Sequence, residues 1–431
     1  MNVTRIAAVS AWEALDSRGR PTVAARVELT GGASGVALVP SGASAGTHEA
    51  LELRDGQERY AGRGVQRALE NVREVLAPAV LGLDALDTRL VDDVLLATDP
   101  TPGHRVVGAN AILSVSLAAL RAGASATGRS LARHLTGSGP LLLPMPMVNV
   151  ISGGAHAGGL LDVQDFLVIP VGANSFAQAI EWCAAVREHT AELAAGRGHR
   201  SVVLVADEGG LGLGLASNRA ALELLTDGIR AAGLRPGEQV AIALDIAASE
   251  FFDDGCYRLA SEGRVLEPEE LIAEISVWVA DFPVVSIEDV LAEDDWGHWR
   301  SATEELGHRV ELVGDDLFVT QSARLARGMA AGVANSVLVK VNQNGTVSGA
   351  KAVVDLARAH GYRTVVSARS GETEDNWLAD LAVGWRAGQI KVGSTHRGER
   401  TAKWNRLLEL EAAEKCEFAG PWVNGRPAGS S

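Results

Sequence analysis

The sequence predicts an α/β protein in which a (β/α)8 barrel follows a smaller α+β domain. Three observations predict it. Beyond residue 140 a rhythm of strand, short loop and helix recurs; seven of its strand-like runs end in a charged residue; and the first 140 residues follow a different order, strands first and helices after. The chain divides accordingly into residues 1–138 and 139–431. In the first part TRIAAVSAWEAL, PTVAARVELT and SGVALVP are β-rich runs between Gly and Pro punctuation and read as a three-strand meander. From about Gly64 the apolar spacing becomes helical, through VQRALENVREVLAPAV, TRLVDDVLLA and ANAILSVSLAALRAGASATG, until the proline-rich segment 140–146. Between these halves SGASAGTHEA, residues 41–50, has small residues and no apolar period, and reads as a mobile loop.

In the second part VVLVADE ends at Glu208, VAIALD at Asp245, VVSIE at Glu288, VELVGD at Asp315, SVLVK at Lys340, TVVSAR at Arg369 and QIK at Lys391. The intervals, 22 to 43 residues, suit one helix and a return loop per unit, so a parallel sheet is expected. With DFLVIP at 165–170 there are eight candidate strands, the number that closes a barrel, and charged groups at strand C-termini then converge on one mouth.

The net charge of −15, without any run of Lys or Arg, argues against nucleic-acid binding. No signal-peptide pattern opens the chain, and the most apolar stretch, PLLLPMPMVNVI, is cut by prolines too often to span a membrane. Three widely spaced cysteines suggest a reducing, cytoplasmic setting without a disulfide framework or zinc cluster. Of 39 basic residues only five are lysines, at 340, 351, 391, 403 and 415, so Lys340 and Lys391 at strand ends stand out in an arginine-rich chain.

Asp245, Glu288 and Asp315 come from successive strands, and three carboxylates facing one cavity need a cation; hard oxygen donors select Mg2+ or a similar ion. Lys340, Arg369 and Lys391 then meet a substrate that carries both carboxylate and phosphate. Positive neighbours would lower the pKa of a lysine there and fit it as a base, while Glu208, desolvated near Asp165, would stay protonated as the acid.

These residues lie within motifs that resemble the enolase family along almost the whole chain: DSRGRPTV (16–23), PSGASAG (40–46), GANAILSVSLA (108–118), SGGAHAGG (152–159), DEGG (207–210), LDIAASEF (244–251), SIED (286–289), LVGDDLFVT (312–320), LVKVNQNGT (338–346), RSGETED (369–375) and LAVGWRAGQIKVGS (381–394). The resemblance implies an enolase-type barrel, a homodimer or higher homo-oligomer, and reversible dehydration of 2-phosphoglycerate to phosphoenolpyruvate. It implies that Asp245, Glu288 and Asp315 hold one Mg2+, that Ser41 helps hold a second which arrives with substrate, and that Lys391 binds the substrate carboxylate. Arg369 and Ser370 would bind phosphate, Lys340 would take the C2 proton, Glu208 would assist departure of the C3 hydroxyl with Asp165 beside it, and His156 would lie on a loop over the substrate.

The pattern breaks in places. Asp165 stands where the family has glutamate, and Ala368 where it has a histidine near the phosphate. Ala206, Leu211 to Leu213, Val341 and Asn344 also depart from it. The missing imidazole suggests an alternative substrate with a larger group on phosphorus, as in relatives that form the enolpyruvate ester of carboxyphosphonate in phosphonate biosynthesis. A non-catalytic binding protein on the same scaffold is a third reading, and it leaves the matched carboxylates and lysines without a reason.

Overall fold

The computed structural model describes residues 3–42, 47–56 and 58–420, with the backbone of 422–423 and 426–427. Residues 43–46 of the expected mobile loop lie outside the described residues. Strands β1 (Ile6–Leu15), β2 (Pro21–Leu29) and β3 (Ser34–Leu38) form the antiparallel meander in that order. Helix α1 (Ala109–Ala126) packs against it. Gly35 is required there, because a Cβ would collide with the Ala118 carbonyl and the Ala122 amide of α1. The helix is apolar on nearly all sides, as a helix enclosed by protein must be. By length and composition it could cross a membrane, yet 83% of it is buried within this fold.

Eight strands close the barrel: β4 (Met145–Ser152), β5 (Asp165–Ile169), β6 (Ala241–Asp245), β7 (Val284–Glu288), β8 (Glu311–Gly314), β9 (Ser336–Val339), β10 (Arg363–Ser367) and β11 (Gly388–Gly393), with β11 pairing back to β4. The expected count is right and its membership differs by one. VVLVADE is not a barrel strand: Arg200–Val203 form a short 3-10 turn, and Val203 and Leu204 are 83% and 67% exposed. Its place is taken by the segment whose prolines read as a boundary. Every residue of β4 is buried, so the stretch is a fully enclosed strand, and of the segment's prolines only Pro146 lies within it.

Nor is the barrel wholly parallel. β5 runs antiparallel to both β4 and β6. No crossover helix separates β4 from β5, and a direct return can only be antiparallel. Two helices, α2 (Phe176–Gly196) and α3 (Asn218–Ala231), then follow β5 together and pack on each other. The reversal matters for the site. Asp165 begins its strand, yet it pairs with Ser152 and Asp245 at the ends of theirs, so it sits at the mouth with the other carboxylates.

Side chains alternate along a strand, and the apolar residues two positions below the mouth form one enclosed cluster: Leu167, Ala243, Val313, Leu338 and Val365 among them. Asp165, Asp245, Asp315 and Lys340 stand two residues from members of that cluster on the same face. Beneath Glu288 and Lys391 are polar residues instead, Ser286 and Gln389, both hydrogen-bonded to the buried Glu311 at 2.8 and 2.7 Å.

The two parts of the chain are tied by side chains from the first that cap an element of the second. Asp92 Oδ2 accepts from the Ser348 amide at 2.8 Å, and Ser116 Oγ from the Val347 amide at 3.1 Å, at the start of helix Val347–Ala359. Asp92 is fully buried, and burial pushes its carboxyl up to about 6 against the bonds from Ser116 and Ser348. A carboxyl raised on folding contributes stability that is complete below its unfolded value and is lost as pH rises through about 6. Asp92→Asn keeps an acceptor and removes the buried charge. It is expected to melt a few degrees above the natural protein at pH 8, with the gap closing toward pH 4, as measured by circular dichroism.

Candidate active site

The strand ends deliver their charges to one cavity. Lys391 Nζ lies 2.7 Å from both Asp245 Oδ2 and Glu288 Oε2. Asp315 Oδ2 is bonded by Lys340 Nζ, and its Oδ1 accepts from Gln343 Nε2 at 2.9 Å. Thr320 Oγ1 accepts from the Lys340 amide at 2.9 Å and fixes the start of the turn that carries Gln343. Burial works to strip both lysines of their protons, but the carboxylates outweigh it. Lys391 is held well above the ordinary lysine value by Asp245 and Glu288, and Lys340 is raised chiefly by Asp315. For Lys340 this reverses the expected direction, because a directly bonded carboxylate acts on it more strongly than Arg369.

The donor set fits a hard divalent cation. Burial and the nearby charge of Asp245 push Glu288 well above the carboxylate range, whereas Lys391 outweighs burial at Asp245 and holds it low. Beside them are two acids that strand-end reasoning passed over, Asp289 and Asp316, each the second member of an acidic pair. Asp289 accepts from the amides of Asp315 and Asp316 at 2.9 and 2.8 Å. Asp289, Asp315 and Asp316 have oxygens within 4.8 Å of one another. Burial and neighbouring carboxylates raise Asp289 far above its usual range and Asp316 to about 8. Such crowding marks a site with more carboxylates than its two lysines neutralise, and the donors are all oxygen.

Ser41 is elsewhere. Its hydroxyl donates to Asp16 Oδ2 at 2.6 Å and accepts from Arg18 Nη2 at 3.2 Å, and its backbone pairs with Gly371. It does not line the cavity. That pairing docks the first domain onto the loop after β10, and it needs a glycine, since a Cβ at Gly371 would strike both Arg18 and Ser41.

A second group forms on the other wall. Asp165 is fully buried and accepts from Asn149 Nδ2, from Ser152 Oγ at 3.2 Å and from His156 Nδ1 at 2.9 Å. His156 Nε2 lies 3.9 Å from Glu208 Oε1. Burial disfavours a charged imidazole, yet Asp165 and Glu208 together raise His156 to about 9. Glu208 departs from the protonated state expected of it. Burial pushes it up, but Arg400 at 3.8 Å, His156 and the two lysines pull it below the ordinary carboxylate value, and Asp165 is the carboxyl that burial raises. The glycines of DEGG are dictated by packing: Cβ atoms at Gly209 and Gly210 would lie 2.6 Å from the His396 carbonyl and from Ser152 Oγ.

The cationic end is Arg369, whose Nη1 lies 3.0 Å from Glu49 Oε2 and from Asn342 Oδ1. Ser370 and Ala368 line the cavity on either side of it. Asn342 and Gln343 lie in the VNQ segment directly after Lys340, and their amides were a readable signal. Arg400, 30 residues beyond Ser370, gave none.

Residues 6–135 match the family described as the enolase N-terminal domain, and residues 140–424 the one described as the enolase C-terminal TIM barrel domain. The chain belongs to the enolase family. It is accordingly a lyase of the enolase superfamily, a family that typically uses Mg2+. Most departures from the enolase pattern have local reasons. Leu211 and Leu213 are buried, and Leu211–Gly212 extends the sheet beside Ile151 and Ser152. Asn344 donates to the Thr320 carbonyl at 3.0 Å, and Val341 is core. Asp165 and Ala368 alone change groups that face the cavity or its buried wall.

A histidine raised on folding contributes stability that is complete below its unfolded value near 6.5 and is lost as pH rises through about 9. His156 is therefore expected to remain an imidazolium at neutrality, with an NMR titration midpoint near 9. In Asp165→Asn the midpoint should fall by about one unit or more.

Proposed function

We propose that this enolase-family protein is a Mg2+-dependent hydro-lyase that interconverts 2-phosphoglycerate and phosphoenolpyruvate. The observation that carries the reading is one cavity lined by Lys340, Glu208, Asp245, Asp315, Arg369, Ser370 and Lys391. A trianionic hydroxyacid would direct its carboxylate to Lys391 and its phosphate to Arg369 and Ser370, which leaves C2 to Lys340 and the C3 hydroxyl to Glu208. Mg2+ held by Asp245, Glu288 and Asp315, with a second ion near Ser41 on closure of its loop, would supply the charge that renders the C2 proton removable. Lys340 accepts that proton as the free amine, so the grip of Asp315 on its ammonium must weaken as the carboxylates are neutralised. Glu208 must acquire a proton to assist the leaving hydroxyl, and the imidazolium of His156 stands beside it as a donor. A cytoplasmic homodimer completes the reading.

Ala368 favours a second substrate. It lines the cavity between Ser367 and Arg369, where the family's imidazole would occupy space. A phosphonate carrying an extra carboxylate on phosphorus would use that space, which would make the product an enolpyruvate ester of carboxyphosphonate.

A coupled assay separates the two. Purified protein with Mg2+ is expected to convert 2-phosphoglycerate, to stop with a chelator, and to lose at least about 100-fold in turnover in Lys340→Ala. Lys340→Arg is expected to lose as much, since arginine keeps the charge and supplies no base. Negligible turnover by the natural protein, restored in Ala368→His, would favour the phosphonate substrate.

A further inference from the structure

The helix after the last barrel strand, Gly398–Ala413, turns two cations inward one turn apart. Arg400 and Lys403 are both fully buried. A buried charge is costly unless it is paired and hydrogen-bonded, so what these two hold shows what they are for. Arg400 donates from Nη1 to the carbonyls of Arg369 and Val392 at 2.7 and 2.9 Å, and from Nη2 to the Ser370 carbonyl at 2.6 Å. Its Nη1 also lies 3.8 Å from Glu208 Oε1. Lys403 Nζ donates to the Thr373 and Glu399 carbonyls at 2.5 and 2.8 Å and pairs with Glu372 Oε2 at 2.8 Å.

We propose that Arg400, which lies outside the cavity, is a positioning residue for both of its ends: it orients Glu208 and it fixes the backbone of Arg369 and Ser370. The inference rests on the acid and anion-binding roles proposed above for those residues. A guanidinium suits the task because one planar fork reaches carbonyls on the loops after β10 and in β11 while leaving its charge beside Glu208. The glutamate backbone is bound to the same place: the Ser394 amide donates to the Glu208 carbonyl at 2.9 Å, and Gly393 passes so close that a Cβ would lie 2.8 Å from that carbonyl and 3.0 Å from Arg400 Cδ. Arg400 Nε has no hydrogen-bond partner among the described residues. Its charge is shared with Glu399, whose Oε1 lies 3.6 Å from that Nε. Lys403 serves as an internal comparison. It holds the far end of the same RSGETED loop, through Glu372 and Thr373, and its ammonium is engaged there rather than at Glu208.

The test compares Arg400→Lys and Arg400→Gln with Lys403→Met. Arg400→Lys keeps a charge that cannot span three carbonyls, and Arg400→Gln removes the charge. Both are expected to lower kcat for 2-phosphoglycerate at least about tenfold. In Arg400→Gln the acidic limb of the kcat profile should move up by about one pH unit, because Glu208 loses its largest cationic neighbour. Lys403→Met should leave that limb in place. Calorimetry with inorganic phosphate and Mg2+ supplies a readout without turnover: both Arg400 variants are expected to bind phosphate at least about fivefold more weakly. If the natural protein does not turn over 2-phosphoglycerate but the phosphate effect appears, the functional reading fails and the anchoring role of Arg400 stands. Unchanged phosphate affinity together with an unmoved acidic limb overturns the proposal. Failure of both Arg400 variants to fold, judged by circular dichroism, also overturns it in favour of a purely structural role.

Discussion

Lys391 Nζ is shared at 2.7 Å between Asp245 and Glu288, and this contact sets the terms for everything around it. Strand ends at a barrel mouth bring side chains together whatever their charge, and here they bring Asp165, Asp245, Glu288, Asp289, Asp315 and Asp316 into one small volume. Carboxylates that close cannot all ionise without cations between them. Lys391 and Lys340 supply two positive charges and the buried Arg369 a third, and the surplus of negative charge over them is what fits the mouth to a divalent ion. A protein that needed only stability would gain by replacing such a cluster with apolar residues.

The same economy of charge separates the two walls. On the wall of Asp245, Glu288 and Asp315 carboxylates dominate and hold the lysines protonated. On the other, His156 stands between Asp165 and Glu208, with Arg400 behind, so that two cations face two carboxylates. Asp165 reaches this wall only because β5 runs backwards, which puts the first residue of that strand level with the last residue of β6. Its shorter side chain is met by Asn149, Ser152 and His156. The imidazole is drawn toward Asp165 and stays near Glu208, so a protonated group lies next to a glutamate that it helps to hold as an anion.

Much of this was legible in the chain. Short β-branched runs that end in a charged residue, spaced for one helix each, identified β6 to β11 and the groups at their ends. The scarcity of lysine singled out Lys340 and Lys391. It was silent on Lys403, which is equally buried but sits on a helix among residues of mixed character, and Lys351 shows why scarcity alone is a weak guide, since it pairs on the surface with Asp355. VVLVADE misled because β-branched composition is a local property, whereas membership of a barrel depends on closure. β4 was hidden by the prolines at 140, 144 and 146, of which only Pro146 lies within the strand.

The sequence by itself determined the barrel, the domain order, the residues that end the strands and the chemical type of ligand they suit, because each of these follows from periodicity, spacing and side-chain chemistry. Only the tertiary structure decided the protonation balance and the partners. Which way Glu208 and Asp165 are shifted depends on burial, Arg400 and His156, which come together from distant parts of the chain. Whether Lys340 holds its own depends on a bond to Asp315 made across two strands. Charge interactions fall off with distance in space rather than along the sequence, and that distance is set by the closed barrel.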